Sequence, residues 1–433
     1  MPRSWRISKP PRSRASGLRA RLFVFLVLAS FCTVRPHPVS AASFVDRRVT
    51  ALSAATLLGS PGYRLVDGRR QHAAQRLRTY TRPLFFVAAL SQILALLYFW
   101  ASGLGARLRD ALRRTRAPLF AMRLTYGALV ALIAAFVSLP AALARYRVDV
   151  AFGLSNQSAL NWARDGIIGA ALQAIVVGLV VACIFALVDR TRLWYAYGIG
   201  GLFIVTLLMA FLEPVVVAPL YNHFSPLPRT AAARAPLAAL ARSAGIGSAP
   251  ILVTNSLTRS SAAIAKVSGF GPTKRIVLSD ALLRAATTAE VVFLTAREFG
   301  HYAHGDTFRL SLFWTFLFVL CTALAVVLAD RIAFRRDDDP LARLSLVLAF
   351  LGLLGLAVAP IYNAYSRNLE AQADGYALAL TRDRASAVRA YVRISDETLS
   401  SLCPSRADRL YFYNSVPFGT RVAKATGRTD PCR

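Results

Sequence analysis

Six long runs of apolar residues constrain this chain more than any other feature. They lie near 84–104, 122–143, 167–188, 196–218, 310–329 and 344–362, and none holds more than one charged residue. A bilayer core about 30 Å thick is crossed by about 20 apolar residues of helix, so the chain reads as a multi-pass integral membrane protein. Six such runs are too many for the buried helices of a soluble core. The rest of the composition agrees, with 55% hydrophobic residues, 17% charged residues and a mean hydropathy of +0.46, which excludes a disordered chain. The 433 residues have room for two or three units at about 150 residues each. A formal charge of +30 belongs to arginine-rich loops and their contact with anionic lipid. Without a nucleic-acid-binding module, that charge does not imply nucleic acid as a partner.

The N-terminus adds an apolar segment of another kind. Seven basic residues within 1–21 precede the run 22–32, and Val39-Ser40-Ala41 has the small residues of a cleavage site. Residues 1–42 therefore read as a signal peptide or as a first transmembrane anchor. Residues 43–219 then form an N-terminal membrane domain, and 220–433 a second domain containing the membrane hairpin 308–365. A basic N-terminus kept inside puts the five arginines of 105–121 inside as well, together with Arg331, Arg335, Arg336 and Arg343. The polar segments near 220–307 and 366–433 then face outside together, where Cys403 and Cys432 have the option of a disulfide or of two free thiols. A transporter is disfavoured, because no internal repeat is found and Glu213 is the one acid late in a run.

The chemistry-bearing residues lie in those two polar segments. Ile251–Thr254 reads as a strand. Ala263–Val267 and Lys274–Leu278, around a turn at Gly269, Gly271 and Pro272, read as a hairpin whose edge suits an extended peptide. Thr287 and Glu290 make a capping box for a helix over 290–304 that Gly305 ends. Within it stands Arg297-Glu298-Phe299-Gly300-His301. A metallopeptidase helix has the form H-E-x-x-H, in which two imidazoles four apart hold zinc and the glutamate polarises the bound water. Here the first imidazole is absent. Downstream, Glu370 and Asp374 share one face of a helix just beyond the last membrane run, as a carboxylate third ligand requires. His301 and His304, three apart, offer with Glu370 a shifted metal geometry as the alternative.

Four segments carry a resemblance. These are Ala218–Leu227 (APLYNHFSPL), Ser268–Leu278 (SGFGPTKRIVL), Gly300–Asp306 (GHYAHGD) and Asn363–Asp374 (NAYSRNLEAQAD). In them the chain resembles the type I CAAX prenyl protease family of integral-membrane zinc metallopeptidases. The resemblance implies a mainly α fold with six to seven transmembrane helices and a small α+β gluzincin-like domain split around the last helix pair. It implies zinc as cofactor, peptide-bond hydrolysis as the reaction, and a peptide or membrane protein as substrate or partner. It puts Glu298 at the general-base position, His301 and Glu370 at ligand positions, and Asp374 in support, with Arg367 and Arg421 nearby.

The departures fall on the same site. Arg297 stands where the family has its first zinc-binding histidine, and a guanidinium has no lone pair to give a metal. Val416 stands where the family has a histidine that helps bind the transition state. Ile264 and Lys266 alter the hairpin edge. The expectation is a degenerate site with zinc weakly held or absent, Arg297 pairing instead with Glu298 and Glu370. Catalysis is then impaired or lost, and the alternative role is that of an inactive module binding a peptide, lipid or partner protein. The terminus Pro431-Cys432-Arg433 is not a prenylation box.

Overall fold

The computed structural model describes residues 51–269, 273–333 and 339–432. The leader at 1–42, the turn residues Gly271 and Pro272, and Arg335 and Arg336 lie outside the described residues. Among the described residues six helices are long and apolar enough to cross a membrane, as the six runs require: α1 (Gly68–Ala101), α3 (Leu119–Ala151), α4 (Ala159–Arg190), α5 (Trp194–Leu212, its span continuing to Tyr221), α9 (Asp306–Ala333) and α10 (Pro340–Thr381). The arginine-rich α2 (Leu104–Arg114) links α1 to α3. Three of the spans, α1, α4 and α10, begin at a side chain that caps the helix. Asp67 accepts from the Arg69 N–H at 2.8 Å and Ser158 from the Asn161 N–H at 3.2 Å, satisfying donors that a helix end leaves free.

Small residues set the closest crossing in the bundle. A Cβ on Gly178 of α4 would stand 2.7 Å from the Leu124 carbonyl of α3, and one on Gly127 would stand 2.9 Å from Val181. Contact that close is the packing available to helices in lipid, where apolar burial alone gives no preference for helix over tail. Around it Ile93, Phe99, Met122, Tyr126, Val130 and Val181 form the buried centre of the membrane part.

Beyond the membrane lies a four-stranded sheet of β1 (Phe224–Pro226), β2 (Ile251–Thr254), β3 (Ala265–Ser268) and β4 (Arg275–Ser279), in the order β1-β2-β4-β3. The expected hairpin is present, with β3 antiparallel to β4, pairing Lys266 with Val277 and Ser268 with Arg275. β2 joins it in parallel, pairing Ile251 with Ile276. Residues two apart on a strand share a face, so Ile251, Val253, Ala265, Val267, Ile276 and Leu278 all point one way. There they pack on α6 (Arg234–Ser243), α8 (Thr288–Ala303) and α11 (Arg384–Glu397), with Leu237, Phe293, Phe299 and Tyr391 fully buried among them. The short α7 (Asp280–Ala285) follows β4, and α12 (Arg406–Tyr411) and α13 (Phe418–Thr426) close the chain. Arg259 joins this layer to the membrane part by two bonds to Asp165 of α4, at 2.8 and 3.0 Å.

Candidate functional site

The helix carrying the altered motif begins as its capping box dictates. Thr287 accepts from the Glu290 N–H, and the Glu290 carboxylate accepts from the Thr287 N–H at 2.6 Å. That carboxylate is fully buried, and Arg393 of α11 pairs with it at 3.2 Å. At the far end His304 is the cap, and Gly305, at φ +63°, reverses the chain into α9. Gly300 lets α8 lie directly on α10, since a Cβ there would come within 3.0 Å of Ala373 Cα and Tyr376 Cβ. The last membrane run continues unbroken through Glu370 and Asp374, so one helix reaches from the bilayer to the site.

Arg297 lies at the centre. Its Nη1 donates to Glu298 at 2.7 Å, its Nε donates to Asp374 at 3.1 Å, and its Nη2 donates to Glu370. A second guanidinium closes the other side, with Arg421 of α13 at 2.9 Å from Glu370 and 3.0 Å from Asp374. Ser415 bonds both, donating to Glu370 at 3.4 Å and accepting from Arg421 at 2.8 Å. Three carboxylates thus share two guanidiniums, nearly balancing charge where Asp374 and Arg421 are only 3% and 6% exposed. Such charge-assisted bonds are stronger than neutral ones, and a buried ion group is tolerated when each lone pair is met.

His301 is engaged by its own partner. Its Nδ1 donates to Asp306 at 2.8 Å, leaving Nε2 3.5 Å from Glu370. Asp306 is buried at the start of α9 and also accepts from Arg309 at 3.0 Å. The motif pattern alone assigns no role to Asp306 or Ser415. The signal for Asp306 was a carboxylate five residues past His301, immediately after the glycine that turns the chain back. His304 is exposed, its ring edge-on to Tyr376 at 5.8 Å, so it is not brought to the site. Val416 follows Ser415 directly and is half-buried, presenting no hydrogen-bonding group from its side chain. Arg367 is a fastener, donating to the Arg409 and Tyr413 carbonyls, each at 2.6 Å, and thereby holding the segment that brings in Ser415.

The electrostatics follow from burial and neighbours. Burial works to lower the pKa of Arg297, but Glu298 and Asp374 outweigh it and the net shift is upward. Arg421 is shifted downward by burial and by Arg297, against the pull of Asp374. The Tyr391 phenol, beneath Arg421, is held well above its ordinary range by burial and by the negative charge of Asp374. Arg297 therefore stays a cation at any physiological pH. Among the described residues no group of three or more His, Cys, Asp or Glu side chains is arranged to hold a metal ion.

A membrane bundle joined to a small sheet, with a metallopeptidase-type helix crossing a carboxylate-bearing helix, defines a class: the membrane-embedded metallopeptidase fold. The description "CAAX prenyl protease N-terminal, five membrane helices" matches residues 66–223, and "Peptidase family M48" matches 229–418. The chain belongs to the CAAX prenyl protease family of M48 peptidases. It is 27% identical over 329 residues to the uncharacterized metalloprotease YhfN of Bacillus subtilis, covering 74% of this chain and 77% of that one. It is 29% identical over 296 residues to the CAAX prenyl protease 1 homolog of Arabidopsis thaliana, covering 65% and 67%. The crystal structure of S. mikatae Ste24p has the same fold, with a TM-score of 0.69 over 93% of this chain and 98% of that one at 21% identity.

Proposed function

We propose that this protein is a CAAX-protease-type membrane protein in which Arg297 substitutes for the zinc ion, and that it acts as a binding module rather than as a metallopeptidase. The observation that carries the reading is the guanidinium of Arg297 bonded at once to Glu298, Glu370 and Asp374. In the family these are the general-base, ligand and supporting positions. Here all three carboxylates are spent on a cation that cannot accept a water's lone pair or lower its pKa. The residues present do not fit the family's zinc site. Losing one of three protein ligands weakens a metal severely, and Val416 removes a further polar group of the kind whose loss commonly costs about 10²–10³ in turnover.

What such a protein keeps is a free sheet edge. β3 is at the edge of the sheet and, among the described residues, pairs only with β4, so its outer side offers a peptide backbone the pairing used in strand addition. The ligand in this reading is an extended peptide or a membrane-protein segment, met at the outer face of a bacterial inner membrane.

The test is reversal. Purified parent, Arg297→His and the double variant Arg297→His with Val416→His are compared for bound zinc and for chelator-sensitive peptide cleavage. The parent is expected to lack stoichiometric zinc and cleavage, the single variant to regain zinc, and the double variant to regain both. One tightly held zinc per parent chain, or cleavage by the parent that a chelator stops, sinks the proposal.

A further inference from the structure

The face of the sheet turned away from the core carries a cationic group that the altered motif does not use. Lys266 and Ser268 of β3 and Arg275 and Val277 of β4 lie on this face, opposite the buried Ile276 and Leu278. Ser268 is the direct cross-strand partner of Arg275, and Lys266 is its diagonal neighbour. The Arg275 guanidinium lies over the Phe224 ring at 4.4 Å, and the neighbouring Lys274 ammonium lies over the Tyr302 ring at 4.4 Å. Lys266 is already neutralised by Glu213 at 2.8 Å. Arg275 is not. Its Nε and Nη2 are out of contact with solvent and, among the described residues, have no hydrogen-bond partner; the Ser268 hydroxyl beside them is in the same condition. Nε and Nη2 form the edge of a guanidinium that takes two oxygens of a phosphate or carboxylate at once. A buried, unmet fork of this kind costs stability until an anion fills it.

Its height relative to the membrane selects the anion. The uncharged helix α5 runs 19 residues from Trp194 to Leu212, about 28 Å of helix and close to the roughly 30 Å of a bilayer core. The span carries Glu213 as its one charge and ends at Tyr221, so Phe224, three residues further on, lies at the membrane edge. Arg275 touches Phe224 and feels the charge of Glu213, so its fork lies in the headgroup layer. Aromatic rings and a half-buried lysine beside such a fork are what an interface with anionic lipid uses.

We propose that Arg275, with Ser268 opposite and Lys274 at the rim, is a binding site for the phosphate of an anionic phospholipid in the leaflet on which the sheet lies. Bound there, the lipid's phosphate completes the sheet face and ties the extramembranous layer to the end of α5. The site is independent of whether the altered motif binds zinc.

The test uses the full-length chain in nanodiscs of phosphatidylcholine containing a minor share of phosphatidylglycerol, with co-purifying lipid counted by mass spectrometry and thermal stability measured in parallel. The parent is expected to retain phosphatidylglycerol about tenfold above its share, because phosphatidylcholine offers the same phosphate but brings a choline cation against Arg275 and Lys274. Arg275→Gln is expected to abolish the enrichment, and Arg275→Lys, which keeps the charge but loses the fork, to leave only a small part of it. Arg331→Gln, on an exposed position at the other end of α9, is expected to leave it unchanged. No enrichment in the parent, or equal loss in Arg331→Gln and Arg275→Gln, overturns the proposal. So does stabilisation by inorganic phosphate equal to that by the lipid. Arg275-dependent binding of a peptide with a free C-terminal carboxylate, where phosphatidylglycerol gives none, assigns the site to peptide and likewise overturns it.

Discussion

Arg297 alters its site twice, by what it removes and by what it supplies. A histidine there is a neutral donor that leaves Glu298, Glu370 and Asp374 to be balanced by a metal, whereas arginine brings the positive charge itself and spends three donors on the same three acids. A second buried acid on α11 shows what happens where no cation arrives to bond it. Neither carboxylate oxygen of Glu397 has a hydrogen-bonding side chain, and burial raises its pKa to about 7, with Glu290 adding to the rise while Arg393, the Ala263 N–H and Arg70 work against it. A carboxyl whose pKa is higher folded than unfolded favours the fold in its protonated form. Its contribution is therefore full below pH about 4.5 and is lost as pH rises through about 7. Glu397→Gln should raise the stability at pH 8 by on the order of 2 kcal/mol and leave it unchanged near pH 4.5. Thermal melts of parent and variant across that range decide it, and parallel curves at every pH count against a titrating Glu397.

Between elements, the decisive contact is α8 against α10. It brings Arg297 of one helix to Glu370 and Asp374 of the other, and Gly300 sits where the two backbones approach. Gly300→Ala adds a methyl within 3.0 Å of Ala373 and Tyr376, backbone on one side and a Cβ on the other, so neither side yields by rotating a side chain. The helices must part. The expected cost is about 1–3 kcal/mol, less the roughly 0.5–1 kcal/mol that alanine returns as a better helix former. A net stabilisation in a melt would show that the approach is looser than described. Much at this scale was legible in the sequence, because a capping box and a terminal glycine state where α8 begins and ends, and an i, i+4 pair of acids states which face of α10 matters. The parallel pairing of β2 with β4 was not, since alternation fixes a strand's faces and not its partner. Nor was the bond from Asp306 to His301, which exists only after Gly305 folds α9 back over the end of α8.

At the scale of the whole molecule, six apolar runs already dictate a membrane bundle, yet nothing in them says how the C-terminal tail returns to the site. The tail carries Arg421, and the Cys403–Cys432 disulfide, which the sequence left open against two free thiols, closes it into a loop. The link closes over α13. Gly419 is packed so tightly beneath it that a Cβ there would stand 2.5 Å from Cys432 Sγ and 2.9 Å from Cys403 Sγ, two residues before the guanidinium that braces Glu370 and Asp374. A sequence separation of 29 corresponds to about 3–4 kcal/mol of lost chain entropy in the unfolded state. Replacing both cysteines by serine should lower stability by that order, with the loss centred on the tail, so that protease cleaves 400–432 before the membrane helices respond. The bond also reports sidedness, because it persists where the surroundings are oxidising. Alkylation of intact cells should leave Cys403 and Cys432 unlabelled until a reductant is added, which is the result expected of a domain on the outer face. Labelling of both without reductant, together with an unchanged melt for the serine pair, would place the domain on the reducing side and leave Arg421 to be held by packing and its two carboxylates alone.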